Sequence, residues 1–460
     1  MRIVSIVFIK TFVSNNSKKI LLGVKIMENF KLEINDFGPI NNVKLELNKI
    51  NVVGGVNGSG KSTTSKLLYC FLKAMTVNRR EYLMEYVLQD INLILNHMAN
   101  PMGREQVSKY NYTIDDDFNK VLKDYVRAKE IFNSVTFPED GIDEVIDEID
   151  KYLAIILNEN NNDYSPVVKS LFENESLTGF KGEVIFQDND FKCIAKHIPI
   201  TQINDDIEFD DFDGQFIYNS KGTFNYIPNV FYIDSVSIFD LDYYINTKNS
   251  LKRIYRYKEH LSCLLKNLRD KNTDDLTDVD KDKLNDIYEK ITDIIGGETY
   301  YSPLFKIKNY SADAYYFKPD NNDQFRVNIS SGIQQIGILQ VLLHNNKLQP
   351  GTFLIIDEPE VNLHPSWQIK FAQILILLVK ELNINLYLNS HSPMFIEAVS
   401  LYSQYYDLKN DINVYLTQKQ NNDKYNFRKI DANDMGAVYE NLTSPYDELD
   451  KLKAKILFKE

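Results

Sequence analysis

The sequence predicts an α/β fold, a mixed sheet with a parallel core, carrying an inserted helical subdomain. Three observations predict it. A short apolar run, KINVVGG, passes straight into the glycine-rich GVNGSGKS (Gly55 to Ser62) and then a helical pattern. Two later apolar runs, FLII before Asp357-Glu358 and NLYL before Asn389-Ser390-His391, alternate with helical stretches, which is the rhythm of a parallel sheet. Finally, Asp357 lies 296 residues beyond Lys61, far more chain than one strand-to-strand crossover needs.

Taken in order, FKLEINDF and VKLEL alternate apolar and polar residues, so each reads as a half-buried strand, with a turn at Gly38-Pro39. KINVVGG is a short buried strand and KSTTSKLLYCFLKAM a helix. Residues 80–177 look mainly helical, and IDEVIDEIDKYLAIIL sets Ile142, Val145, Ile149, Tyr152 and Ile156 along one face. Heptads are not sustained, so a compact helical subdomain is expected and not a long coiled coil. FKGEVIFQDNDFKCIAKHI and NVFYIDSV return to strand character. Residues 248–271 read as a basic helix, with eight Lys or Arg against Glu259 and Asp270, followed by the acidic helical stretch DDLTDVDKDKLNDIYEKI. From residue 325 onward come strand, helix, buried strand, helix, buried strand.

Bulk properties bound the function. A chain of 460 residues exceeds what one core usually spans, so two or three structural units are expected. The formal charge of −13 and a pI of about 5.1 exclude a uniformly basic nucleic-acid binder and leave only a local patch for that purpose. Cys70, Cys193 and Cys263 are far apart with no C-x-x-C pair, which argues against a disulfide framework or a zinc site and fits a reducing cytosol. The first residues loosely imitate a signal peptide but lack a small-residue cleavage site. No apolar run reaches the roughly 18 residues of a membrane span, so a cytoplasmic protein with no membrane partner is expected, residues 1–27 being an extension.

Four motifs carry chemistry. GVNGSGKS fits G-x-x-x-x-G-K-[ST], the phosphate-binding loop. Its glycines let successive N–H groups turn toward a β-phosphate at a helix N-terminus. Lys61 would reach the β- and γ-phosphates, the Ser62 hydroxyl would ligate Mg²⁺, and Gly55, Val56, Asn57, Gly58, Ser59, Gly60 and Thr63 complete the loop. In GTFLIIDEPEVNLHP the apolar strand ends in Asp357, placed for the Mg²⁺ shell, and Glu358, placed to deprotonate an attacking water. A surface acidic turn competes with that reading, but the run before it is too apolar. In NLYLNSHSP the strand ends at His391, which from one strand beyond the acidic pair can meet a γ-phosphate; a lone histidine is otherwise more often structural. In NISSGIQQIGIL, Ser331-Gly332 opens a helix, an anion site in this context and a plain N-cap in most others.

These motifs in this order resemble the ABC-type ATPase heads of the SMC, RecF and OLD families, a P-loop NTPase fold, over about residues 28–76 and 325–400. SSGIQQ occupies the place of the family's LSGGQ-like signature, with Ile333 where the second Gly would stand. DEPEVNLHP looks like the DEPE-x-x-LHP variant, NSHSP like the switch-histidine segment and INDFGPI like the first turn. The resemblance implies two heads closing on two ATP molecules with Mg²⁺. Lys61, Ser62, Asp357, Glu358 and His391 would act from one chain, Ser331 and Gly332 from the other, and Val361 to His364 would cross the interface. Glu358 would be general base, Asp357 with Ser62 the metal partners, and His391 the γ-phosphate sensor. The glutamine loop has three weak candidates, Gln89, Gln187 and Gln202.

The layout this implies is an extension at 1–27, head at 28–79, helical insert at 80–177, strand-rich head at 178–246, helical arm at 247–297, head at 298–420 and a C-terminal segment at 421–460. Too few residues follow His391 for the TOPRIM nuclease of OLD proteins. The expected role is therefore an ATPase of bacterial phage defence acting as a homodimer or higher homo-oligomer with a separately encoded effector; the alternative is a RecF- or SMC-like repair or chromosome ATPase. The basic stretch 248–271 makes DNA a candidate partner, although such a helix is more often a solvated face. Arg253 and His260 also fit the short R-x(4–6)-H pattern of HEPN ribonucleases. The DEPE variant argues against a transporter.

Overall fold

The computed structural model describes residues 30–99, 110–113, 116–134, 142–157, 164–189, 191–199, 214–222, 227–234, 258–269, 278–303, 313–319, 331–443 and 445–457. The strands are β1 Lys31–Phe37, β2 Ile40–Glu46, β3 Ile50–Gly54, β4 Glu183–Gln187, β5 Phe191–Pro199, β6 Gly214–Gly222, β7 Val230–Ile233, β8 Gly297–Pro303, β9 Asp313–Pro319, β10 Phe353–Asp357, β11 Asn385–Ser390, β12 Ile412–Lys419 and β13 Tyr425–Ile430. The helices are α1 Lys61–Thr76, α2 Arg79–Ala99, α3 Phe118–Ser134, α4 Ile142–Leu157, α5 Ser165–Asn174, α6 Glu259–Arg269, α7 Asp278–Ile295, α8 Ser331–His344, α9 Pro365–Leu382, α10 Pro393–Tyr405, α11 Met435–Thr443 and α12 Pro445–Leu457.

Eleven described strands form one sheet in the order β6-β5-β4-β1-β2-β13-β12-β3-β11-β10-β7. From β12 to β7 every neighbouring pair is parallel, while β6, β5, β4, β1 and β2 run antiparallel to one another. The mixed sheet with a parallel core is thus as the sequence predicts. The parallel strands read as continuous apolar runs because both of their faces are covered. In β10, Phe353 and Ile355 join one hydrophobic cluster with α1 to α5, while Leu354 and Ile356 join the other with α6 to α11. The half-buried alternation of β1, by contrast, marks a strand with one covered face.

Register decides where the site lies. Gly54 pairs with Ser390, Asn389 with Asp357, and Ile356 with Ile233, so the carboxyl ends of β3, β11, β10 and β7 lie level along one edge. Ligands of open α/β sheets bind at such edges.

Three features differ from the sequence expectations. Lys258 precedes the helix, which starts at Glu259, so the basic helix is α6 within the described part of 248–271. Tyr425–Ile430 pairs with both β12 and β2, so the boundary drawn at 420 falls inside a hairpin of the main sheet. The hairpin β8-β9 forms a second small sheet. Among the described residues, no helix is long and apolar enough to cross a membrane.

Candidate functional site

The loop between β3 and α1 is shaped by glycine. Gly58 and Gly60 have φ of +73° and +92°, where an L side chain is strained. A Cβ on Gly60 would also stand 2.5 Å from Ile40 Cγ1, and one on Gly55 would stand 2.0 Å from Thr417 Oγ1. Val56, Asn57 and Gly58 form the exposed crest, Ser59 Oγ donates to Val56 O at 2.7 Å, and Ser62 is exposed at the start of α1. Gly60→Ala is expected to destabilise the protein by ~1–2 kcal/mol from left-handed strain plus ~1–3 kcal/mol from overpacking. A fall in Tm together with weaker nucleotide binding would bear this out; an unchanged Tm would refute it.

Lys61 is 5% exposed, and its ammonium donates to Gly55 O at 2.9 Å and Val56 O at 2.8 Å, with His391 Nδ1 at 3.4 Å. His391 Nε2 in turn lies 3.1 Å from Glu358 Oε1. An ammonium can only donate, so Nδ1 carries the lone pair and Nε2 carries the hydrogen given to Glu358. The loop lysine and the strand-end glutamate therefore meet on opposite nitrogens of one imidazole. Glu358 is held at φ +49° with its N–H donating to Asn389 O, and the Glu360 carboxylate accepts from the backbone N–H of His391 and Ser392. Burial raises the Glu360 pKa, opposed most by the hydrogen bond from the His391 backbone.

Burial also lowers the Lys61 pKa from 10.5 to about 8, opposed by Glu358, Asp357 and Glu360. The sign follows from proton counting. Between pH about 8 and 10.5 the unfolded chain keeps a proton that the folded chain has lost, so this group makes stability rise with pH there; below about 8 its burial cost is present in full. Phosphate oxygens beside Lys61 would restore the proton. ATP binding at pH ~8.5 should therefore take up on the order of half a proton, fading toward pH 6.5. Calorimetry in buffers of different ionisation enthalpy measures this, and no uptake at pH ~8.5 would contradict it.

Asp357 is 4% exposed and fully engaged. Its Oδ1 accepts from Ser65 Oγ at 2.7 Å and Asn389 Nδ2 at 2.5 Å, and its Oδ2 accepts from Tyr232 OH at 2.7 Å. Among the described residues no group of three or more His, Cys, Asp or Glu could hold a metal by itself. That donor set suits Mg²⁺, which keeps several waters and is carried by substrate phosphates beside one or two protein oxygens. Exposed Ser62 and the carboxylate of Asp357 would offer such oxygens.

Lys61, Glu358 and His391 are thus brought together, with the loop 55–63 and Asp357 around them. Ser331 and Gly332 are the first two residues of α8, and their side chains lie outside the described residues. In the segment after Asp357, Asn362 has φ +61° and His364 caps α9. Gln368 joins this segment to the histidine loop, donating to Leu363 O at 3.2 Å and accepting from Ser392 Oγ at 2.8 Å. Of the glutamine candidates, Gln187 ends β4 with Nε2 3.5 Å from Glu33, Gln202 lies outside the described residues, and so does the side chain of Gln89. Arg253 is likewise outside them. His260 is 1% exposed and paired with Glu175 and Asp234, so it is not open to an RNA backbone.

Sequence reasoning missed Ser65, Tyr232, Asn389, Glu360 and Gln368. Ser65 sits one helical turn beyond Ser62, and Asn389 is one residue before the strand-end serine, so spacing alone could have flagged both. Tyr232 had no such signal.

A family model described as AAA ATPase domain matches residues 27–396. No curated protein matches the chain. Among solved structures it is similar to an Smc head bound to the C-winged helix domain of ScpA, at 11% identity over 87% of this chain and 97% of that one, with a TM-score of 0.39. It is similar also to the SMC head domain from Thermotoga maritima, at 10% identity over 87% and 98%, with a TM-score of 0.37. A third is the Smc head domain with an extended coiled coil bound to the C-terminal domain of ScpA from Pyrococcus furiosus, at 11% identity over 90% and 99%, with a TM-score of 0.37.

Proposed function

The chain belongs to the AAA ATPase domain family, and from that premise we propose that it binds Mg-ATP on residues 55–63 and hydrolyses it to ADP and phosphate with Glu358 as general base. The observation that carries this reading is the convergence of Lys61 and Glu358 on the two nitrogens of His391. Phosphate oxygens would take over the donors that Lys61 now gives to Gly55 O and Val56 O. The γ-phosphate would then draw His391 from Glu358, leaving that carboxylate to accept a proton from water. Ser62 and Asp357 would hold the Mg²⁺ that arrives with ATP, which would supply neutralisation of the charge developing on the phosphates.

The same reading extends to assembly. Two heads would close on two ATP molecules, with Ser331 and Gly332 completing the site from the partner chain and Val361 to His364 crossing between them. ATP binding would then act as a dimerisation switch and hydrolysis as its release. The role this supports is a cytoplasmic ATPase of phage defence that passes its nucleotide state to a separately encoded effector. Steady-state Mg-ATP turnover, alone and with linear double-stranded DNA, tests it against Glu358→Gln. Slow turnover indifferent to DNA is expected. Strong stimulation by DNA would replace the defence role with that of a RecF- or SMC-like repair ATPase.

A further inference from the structure

Behind Asp357 lies a buried polar cluster that the hydrolytic step does not use. Tyr232, on the edge strand β7, gives its hydroxyl to Asp357 Oδ2, and its ring packs on His260 with 4.6 Å between centroids. Tyr69 of α1 lies 6.0 Å from each of those rings. His260 Nδ1 is 2.9 and 2.8 Å from the two oxygens of Glu175, and Nε2 is 3.3 Å from Asp234 Oδ2. Both ring nitrogens thus face carboxylates, which only accept, so both carry hydrogen and the ring is an imidazolium. Burial alone would lower its pKa, but the hydrogen bonds to Asp234 and Glu175 outweigh it and the net shift is upward.

Such a cluster is weak evidence of added stability. A buried ion pair is often no better than apolar side chains of equal volume, and losing one partner strands the other charge. What the ions secure here is a fixed geometry among stretches distant in sequence: α1, the end of α5, β7, α6 and the end of β10. The helix α6 is tied to the nucleotide elements a second time. Cys263 Sγ accepts from Lys73 Nζ of α1 at 3.1 Å, and Glu259 lies 3.9 Å from the same ammonium.

We infer that Tyr232 and His260 couple α6, and through Glu175 the end of α5, to Asp357, so that engagement of Asp357 by Mg-ATP shifts α6 on α1. This rests on the reading of Asp357 as a Mg-ATP contact. Every hydrogen-bond donor to the Asp357 carboxylate must adjust when the carboxylate turns toward a metal. Ser65 and Asn389 sit on the elements of the site itself, whereas Tyr232, among the described donors, is the one whose ring packs against His260 of α6. Tyr232 is therefore a positioning residue. By linkage, a partner that grips α6 must change nucleotide affinity by the factor with which nucleotide changes its grip.

Cys263 is a built-in reporter, because Cys70 and Cys193 are buried and Cys263 is only half-buried beside Lys73. The experiment follows maleimide labelling of Cys263 in the full chain, with and without Mg-AMPPNP, in wild type and Tyr232→Phe, with Cys263→Ser confirming the labelled site. Tyr232→Phe keeps the ring on His260 and removes only the hydroxyl. In wild type the analogue should change the labelling rate at least threefold. In Tyr232→Phe it should still bind but leave the rate unaltered, while the Mg²⁺ concentration for half-maximal turnover rises ~10-fold, the usual scale for losing a residue that orients a metal ligand. Labelling indifferent to the analogue in wild type, or equally responsive in Tyr232→Phe, overturns the coupling. If Tyr232→Phe fails to fold, the reciprocal measurement decides: AMPPNP affinity must differ at least threefold between labelled and unlabelled wild type, and equal affinities overturn it. Failure of AMPPNP to bind wild type at all would bring down the ATPase reading and the coupling together, whereas normal binding and turnover with indifferent labelling removes the coupling alone.

Discussion

Glu358→Gln is expected to lower steady-state ATP turnover by about 10²–10⁴-fold, the range over which a positioned general base contributes. The substitution is close to isosteric. Its amide oxygen can still accept from His391 Nε2, now at 3.1 Å from Glu358 Oε1, so the local arrangement is kept while basicity is lost. Nucleotide affinity should stay within about twofold, since Lys61 remains in place. Glu360→Gln is the matched control. Its retained oxygen can still accept from the backbone of His391 and Ser392, so the loss should stay near or below tenfold. Phosphate release for turnover and fluorescent ATP for affinity separate the two quantities. Equal activity in wild type and Glu358→Gln would move the base elsewhere, and a larger loss in Glu360→Gln would point to Glu360.

Lys61→Met carries the second large effect, in one measurement and not in the other. Contacts of this lysine with two phosphates would be charge-assisted, worth about 1.5–3 kcal/mol each, so ATP affinity should fall roughly 10²–10⁴-fold. The protein without ligand should not lose stability in step. Burial that lowers the pKa from 10.5 to about 8 means the folded site disfavours the charge, on the order of 3 kcal/mol at pH 7. Methionine removes that cost while leaving Gly55 O and Val56 O without their donor. The two changes oppose each other, so Tm at pH 7 should shift by no more than a few degrees. A collapse of Tm would show that Lys61 is a structural pin of the loop and not a group held under strain for phosphate. Unaltered ATP affinity would remove it from the site altogether.

Much of the candidate site was legible because its residues obey local rules. The glycines at 58 and 60 are demanded by left-handed backbone within the loop itself. Asp357 and His391 stand at the ends of runs apolar enough to be central strands wherever the rest of the chain goes. Pairings at long range were less legible. The hairpin of β12 and β13 is joined to the start of β2 by Asn426 accepting from Asn41 and from the backbone of Asn42, contacts with no local pattern. The boundary drawn at 420 cuts that hairpin. The basic stretch 248–271 looked like one solvated helix, yet α6 buries Leu264, Leu265, Leu268 and His260.

The sequence by itself determined the motifs, the parallel core and the chemistry of the loop, because turn geometry, period-two patterning and apolar runs act over a few residues. Only the tertiary structure decided what surrounds the carboxylate of Asp357. Tyr232, Glu175 and His260 are separated by up to 182 residues from it and from one another, and nothing in their own neighbourhoods marks them as partners. Their union depends on β10 pairing with β7 in register and on α6 packing over that edge. A buried charge finds its counter-ion through the fold, and low dielectric makes that choice strict even where the sequence leaves no trace of it.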